Sequence, residues 1–192
     1  MKKIVLIAVA AFFTVAASAQ NLKFAYVDFA ELVQLMPEMD QARATLEENS
    51  KANEEILMSM YEEYQTKVQQ YQQKAETWTA AIRQSKESEL MEIQSRLEQT
   101  QQSFATEINQ LQQELQAPIV EKAQNTVNEL AKAKGVAVVL EKGSVIYIDP
   151  AQCVDLTPEV RKALNIPEGR TLETLQAEMM AKQQAAMAAQ AQ

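Results

Sequence analysis

The chain has 192 residues and a net charge of −8, with one cysteine, three glycines and no histidine. The lack of histidine excludes Ser-His-Asp and Cys-His nucleophile pairs, and a single cysteine forms neither an internal disulfide nor a Cys-rich zinc site. The acidic balance argues against a nucleic-acid-binding surface, and no glycine opens a phosphate-cradling loop. We therefore expect no enzyme activity, no metal and no cofactor.

Residues 1–19 have the pattern of a secretory signal peptide. Two lysines precede an uncharged stretch from 4 to 17, and Ala17-Ser-Ala19 forms a small-residue cleavage site before Gln20. The stretch is too short and wrongly flanked for a stable transmembrane anchor. We predict cleavage between Ala19 and Gln20, which leaves a soluble, exported chain.

The mature chain is predicted to begin with a strand and a short helix. Residues 23–27 are apolar and aromatic, which is typical of a strand. Asp28 can cap a helix over 29–35, with Glu31 completing a capping box. Pro37 is well placed as the first residue of the next helix.

Two apolar stripes with steps of three and four residues fill the middle of the chain. The first is Leu57, Tyr61, Tyr64, Val68, Tyr71, Ala75, Trp78 and Ile82. The second contains Leu90, Ile93, Leu97, Phe104, Ile108, Leu111 and Leu115. Such stripes are typical of helices that pack in a coiled coil.

The polar stretch 83–89 separates the stripes, and we place the tip of an antiparallel helical hairpin there. This register pairs Ile82 with Leu90 and Tyr61 with Leu111. Each arm would then be about 60 Å long. Because Tyr71 and Ala75 are poor coiled-coil core residues, we expect the arms to bend near them.

The returning helix should end at Gly135, a typical C-terminal cap. Residues 136–140 and 144–148 flank a Glu-Lys-Gly turn and are predicted to form a β-hairpin. A short helix over 159–164 follows, with its cap at Thr157. The tail 166–192 is rich in Ala, Gln and Met, and we expect either a frayed helix or disorder.

The predicted fold class is α+β, mainly α. A β-rich body (20–45 and 127–165) carries a helical hairpin arm (46–126). A body of about 65 residues is marginally stable alone, so we expect several copies to share one core. The residues assigned to this oligomer are Phe24, Tyr26, Val27, Val136, Val138, Leu140, Val145, Ile146 and Tyr147.

Four groups of residues follow one another in a characteristic order along the chain: Phe24-Ala-Tyr-Val-Asp28 with Pro37-Glu38, Pro118-Ile119, Ala133-Lys-Gly-Val-Ala-Val-Val-Leu140, and Val145-Ile-Tyr-Ile148 with Asp155-Leu-Thr157. With the order of the predicted elements, they resemble the Skp (OmpH-like) family of periplasmic chaperones. Together they span about residues 22–165.

The resemblance implies a periplasmic homotrimer whose three arms surround a cavity. Such proteins hold unfolded outer-membrane β-barrel polypeptides without ATP and prevent their aggregation. The alternative is a periplasmic coiled-coil spacer or assembly adaptor that docks a fixed partner through its hairpin tips. Arms rich in Tyr rather than Leu argue mildly against a rigid spacer.

A few residues near the predicted tip are candidates for contact with a client or a membrane surface: Arg83, Lys86, Met91 and Arg96. The alternative is that the basic residues only solvate a helix face. Between Glu47 and Glu114 there are 13 acidic and 6 basic residues. Electrostatic capture of acidic clients or of lipopolysaccharide is therefore not expected, and membrane contact would be transient.

Overall fold

The structure is a computed structural model that describes residues 22–190. The predicted signal peptide and its cleavage site at Ala19 and Gln20 lie outside the described residues. Within them the chain forms two compact units. The first, which we call the body, comprises 22–32 and 123–167, and the second, the arm unit, comprises 33–122 and 168–190.

The elements in chain order are strand β1 (Phe24–Val27), helix α1 (Phe29–Leu35), helix α2 (Pro37–Lys74), a 3₁₀ turn (Ala75–Thr77), helix α3 (Ala80–Ala133), strand β2 (Val138–Glu141), a second 3₁₀ turn (Lys142–Ser144), strand β3 (Cys153–Asp155), helix α4 (Thr157–Ala163) and helix α5 (Leu172–Gln190). Long helices with a small sheet confirm the predicted class, α+β and mainly α.

The sheet of the body has the order β2-β1-β3, and both outer strands run parallel to β1. Phe24 pairs with Val138 on one side and with Cys153 on the other. In β1, Ala25 and Val27 are buried, whereas Phe24 is exposed and Tyr26 is half-buried. The sheet therefore has a covered face and a more open face.

The predicted β-hairpin of residues 136–140 and 144–148 is wrong. The Glu141 carboxylate instead accepts a hydrogen bond from the Phe29 amide at 2.9 Å, and Lys142 lies 3.4 Å from the Asp28 carboxylate. These contacts hold the end of β2 against the start of α1, and the next residues form a 3₁₀ turn rather than a reverse turn. The third strand is β3, on the opposite edge of β1.

Polar contacts join the elements of the body. The Asp28 amide donates to the Thr157 hydroxyl at 3.1 Å, and the Leu156 amide donates to the Tyr26 carbonyl at 3.0 Å. Helix α3 ends before Gly135, whose φ of +64° closes the helix as predicted. The buried apolar residues of the body are Ala25, Val27, Leu32, Ala123, Val127, Ala131, Leu156, Val160, Leu164 and Ile166.

In the arm unit, α2 and the first part of α3 form an antiparallel hairpin, and its turn corrects the prediction. The helices are interrupted at residues 75–79, whereas 83–89 lie inside α3. Thr79 caps α3 by accepting a hydrogen bond from the Ile82 amide at 3.4 Å, and Thr77 donates to the Lys74 carbonyl at 2.7 Å. Threonine capping thus ends one helix and begins the next without Gly or Pro.

Leu164 is fully buried in the body, and we predict that Leu164→Ala lowers the free energy of unfolding by about 2–5 kcal/mol because it leaves a cavity. Urea unfolding at a fixed protein concentration measures the change. The matched control is Leu22→Ala at an exposed leucine, with a change of no more than about 0.5 kcal/mol. Equal losses in both variants would contradict the packing described for the body.

Candidate functional site

The two predicted stripes are the less exposed faces of the arm helices at most positions. Ile93 and Leu97 are buried, and Tyr61 and Ile82 are exposed. The other predicted members are half-buried, namely Leu57, Tyr64, Val68, Tyr71, Ala75, Trp78, Leu90, Phe104, Ile108, Leu111 and Leu115. The apolar seam of the arm is thus only partly covered within one chain.

The polar contacts across the arm establish its register. The Gln101 amide donates to the Tyr61 hydroxyl at 2.7 Å, and Arg96 lies 3.0 Å from Glu63. The predicted register placed Tyr61 opposite Leu111, about three helical turns further along α3, and is wrong. The expected bend near Tyr71 and Ala75 assumed that these residues lie in the middle of the arm, whereas both lie next to the turn.

A cluster of charges lies beside the turn. Glu89 accepts a hydrogen bond from Lys67 across the arm and lies 2.7 Å from Lys86 on its own helix. The hydrogen bond from Lys67, followed by that from Lys86, lowers the pKa of Glu89 from 4.5 to about 2. The same bond raises the pKa of Lys67.

Aromatic and hydroxyl groups extend this cluster to the turn itself. Tyr71 donates a hydrogen bond to Glu87, which raises the pKa of the tyrosine. Its ring meets Trp78 edge-on, with ring centroids 5.8 Å apart. Trp78, predicted as part of the seam, therefore closes the tip of the arm.

The four candidate contact residues near the tip have different surroundings. Arg96 and Lys86 are engaged in the ion pairs with Glu63 and Glu89, as expected of residues that stabilise a helix face. Arg83 and Met91 are exposed on α3. The structure therefore leaves Arg83 and Met91 better placed than the other two to touch a second molecule.

The residues assigned to oligomerisation also differ in their exposure. Ile146 and Tyr147 follow the second 3₁₀ turn and are strongly exposed, and Phe24 and Val138 are also exposed. The half-buried members are Tyr26, Val136, Leu140 and Val145. Val27 is buried in the core of the body and is not available to a partner.

The C-terminal helix α5 forms a groove with α2 and α3 in the arm unit. Arg170 lies 2.6 Å from Asp40, which also lies 2.8 Å from Arg43. Leu175 is buried, whereas the helix from Met179 to residue 188 is exposed. The first turns of the tail are therefore attached to α2, and the structure has Leu172–Gln190 as the helix α5.

Comparisons with known proteins identify the family. A family model described as "Outer membrane protein (OmpH-like)" matches residues 23–164. The chain belongs to the OmpH-like family. Within the described residues, no helix combines the length and the hydropathy that a membrane span requires.

The curated relatives of this OmpH-like chain carry the name of a chaperone. It is 30% identical over 146 residues to "Chaperone protein Skp" of Yersinia enterocolitica, covering 76% of this chain and 88% of the relative. It is 27% identical over 140 residues to the protein of the same name from Pectobacterium atrosepticum, covering 73% and 84% of the two chains. The match to the family model ends before α5, so the C-terminal helix lies outside it.

The anchor of α5 and the position of the turn were not predicted from the sequence. Both have a signal in hydroxyl residues. Thr171 and Thr174 cap the start of α5 reciprocally, with N–H to hydroxyl distances of 2.9 and 3.2 Å. Thr79 has the same role for α3. A threonine immediately before the first residue of a helical segment, as at Thr79 and Thr171, was the signal that could have located both helix starts.

We predict that the Glu89 carboxylate titrates with a pKa of about 2. Since the pKa is lowered in the folded state, the stabilisation of the tip is complete above about pH 4.5 and is lost as the pH falls through about 2. NMR titration of the carboxylate measures the pKa. Hydrogen exchange of the backbone amides near the turn measures the loss of stability at low pH.

Replacing the main partner should reverse this shift. In Lys67→Met the pKa of Glu89 should rise towards 4.5, because the strongest hydrogen bond to the carboxylate is gone. Lys51→Met, on the same helix away from the tip, is the matched control and should leave the pKa unchanged. A wild-type pKa near 4.5 would refute the pairing of Lys67 with Glu89.

Proposed function

We propose that this chain is an ATP-independent holdase chaperone that binds unfolded outer-membrane proteins in the periplasm. The observation that carries the proposal is the match to the OmpH-like family over 23–164, together with two relatives named as chaperones. The proposed role needs no catalytic step. It needs surfaces that make many weak contacts with an extended chain.

The arm supports this role through the chemistry of its contacts. An exported outer-membrane polypeptide exposes apolar segments and unpaired strand edges in water and aggregates. The seam of the arm is partly exposed and includes Tyr61 and Ile82, which can contact apolar segments without burying them permanently. Weak contacts of this kind allow the client to leave for the membrane, where its folded barrel has the lower free energy.

The body supports assembly into a homotrimer. Its sheet has three short strands, and such a small sheet is marginal alone. Ile146, Tyr147, Val138 and Phe24 expose apolar surface beside the sheet, which a second copy would cover. Three joined bodies would carry three arms around one cavity, and a client inside it would be shielded from other unfolded chains.

A direct test is to dilute a urea-unfolded outer-membrane protein into buffer and follow light scattering. We expect near-complete suppression of aggregation at about one trimer per client, without ATP. A folded exported protein of similar size and charge is the control and should not suppress scattering. Full aggregation in the presence of an intact trimer would contradict the chaperone function and favour a structural spacer.

The proposed trimer leads to a separate prediction about its interface. Ile146→Glu should convert it to monomers at micromolar concentration, because the assembled state would bury an unpaired carboxylate. Light scattering with size-exclusion chromatography measures the mass. The matched control, Ile56→Glu at an exposed isoleucine of α2, should stay trimeric. A monomeric wild-type chain, or a trimeric Ile146→Glu variant, would refute the assignment of this surface.

A further inference from the structure

The groove between α5 and the two arm helices has a volume of about 620 Å³. Its apolar lining consists of Met39, Ala42, Leu46, Leu172, Leu175 and Met179. Pockets that hold drug-sized ligands have volumes of about 300–1,000 Å³. Because methionine is flexible and polarisable, such a lining can adapt to side chains of different shapes.

The polar lining consists mainly of neutral amides. Gln34, Gln112, Gln116 and Gln176 line the groove together with the apolar residues. A glutamine side chain offers both donors and an acceptor, so it can pair with the N–H or the C=O of any peptide unit. An extended polypeptide has these groups unpaired and needs such partners.

The charge of the groove restricts what it can hold. Arg43 is the one charged residue of its lining. The Arg43 guanidinium already contacts the Asp40 carboxylate at 2.8 Å and donates to the Gln34 carbonyl at 2.7 Å. The Arg43 guanidinium therefore already has hydrogen-bond partners and the rest of the polar lining is neutral, so an uncharged segment can use more of this lining than an anionic lipid headgroup or an acidic peptide.

The groove depends on the C-terminal helix, which lies outside the family match. Arg170, only one-sixth exposed, lies 2.6 Å from Asp40 and ties the start of α5 to α2. Leu175 is buried, so the first two turns of α5 are held while Met179 stands at the edge of the groove. The helix thus adds a wall that residues 23–164 alone do not supply.

We propose that this groove binds extended, uncharged segments of alternating apolar and polar residues, such as the strands of an unfolded outer-membrane protein. The proposal rests on the proposed chaperone function and assigns it a contact site. Transmembrane β-strands alternate apolar and polar side chains over about ten residues. The apolar lining of the groove can contact the apolar side chains of such a strand. The four glutamine amides can pair with its polar side chains and with its peptide backbone.

The test uses a fluorescent ten-residue peptide of this pattern without charges, and anisotropy measures its affinity for the full-length mature protein. Met179→Glu and Gln116→Glu place a carboxylate in the groove and should weaken binding at least about fivefold. The matched controls are Met187→Glu and Gln113→Glu. Met179 and Met187 are similarly exposed, at 52% and 58%, and Gln113 is exposed next to the groove-lining Gln112. Both controls should bind like the wild type.

Each outcome decides the proposal. Loss of affinity confined to the two groove variants supports it. If all four variants bind the peptide as tightly as the wild type, the proposal is overturned. It is also overturned if the control variants lose as much affinity as the groove variants, because the loss would then come from the added negative charge and not from its position. A change of oligomeric mass in Met179→Glu with unchanged peptide affinity would also overturn it and would assign the groove to a second copy of the chain.

The scattering assay separates this proposal from the broader one. If the wild type suppresses aggregation of a full-length client and the groove variants bind the peptide normally, the chaperone function stands and the groove proposal fails. If the wild type does not suppress aggregation, the chaperone function fails. The peptide result then says only whether the groove binds extended chains at all.

Discussion

The parallel pairing of β1 with both of its neighbours is the constraint on which the rest of the fold depends. A parallel pair cannot be joined by a tight turn, so the chain between β1 and β2 must be a crossover of a dozen residues or more. Here that crossover contains α1, α2 and α3. The arm is therefore not an appendage to a finished body. It is the connection without which β1 and β2 cannot pair in this direction.

The same constraint explains why the body exposes apolar surface. The connection from β2 to β3 must pass from one edge of the sheet to the other, and residues 142–152 do so without a helix to cover them. The 3₁₀ turn and the segment with Ile146 and Tyr147 follow the end of β2, which is held by Glu141 and Lys142. Parallel sheets usually have both faces covered. The open side of this one is the physical basis for proposing that other copies complete the core.

Much of the fold could be predicted from local chemistry, and the failures concern pairing over long distances. Pro37, Gly135 and Thr157 mark helix ends that the structure reproduces closely. The heptad pattern identified the covered faces but could not establish the register, because a stripe with steps of three and four matches its partner at several offsets. The hairpin of residues 136–148 failed because side-chain contacts of Glu141 and Lys142 decided the path of the chain. The groove could not be predicted from the sequence, because one of its walls is α5 and the sequence does not show where α5 lies.

The arm unit combines an acidic exterior with an apolar seam that is only partly covered. Its cross-arm contacts include both a neutral hydrogen bond, Tyr61 with Gln101, and ion pairs such as Arg96 with Glu63. A Leu-rich seam would hold the helices more firmly but would leave little apolar surface for another chain. Near the start of α5, apolar side chains and glutamine amides line the groove. The arm unit around it is acidic and repels acidic partners. That combination favours contact by apolar burial and backbone hydrogen bonding, which any extended apolar segment offers.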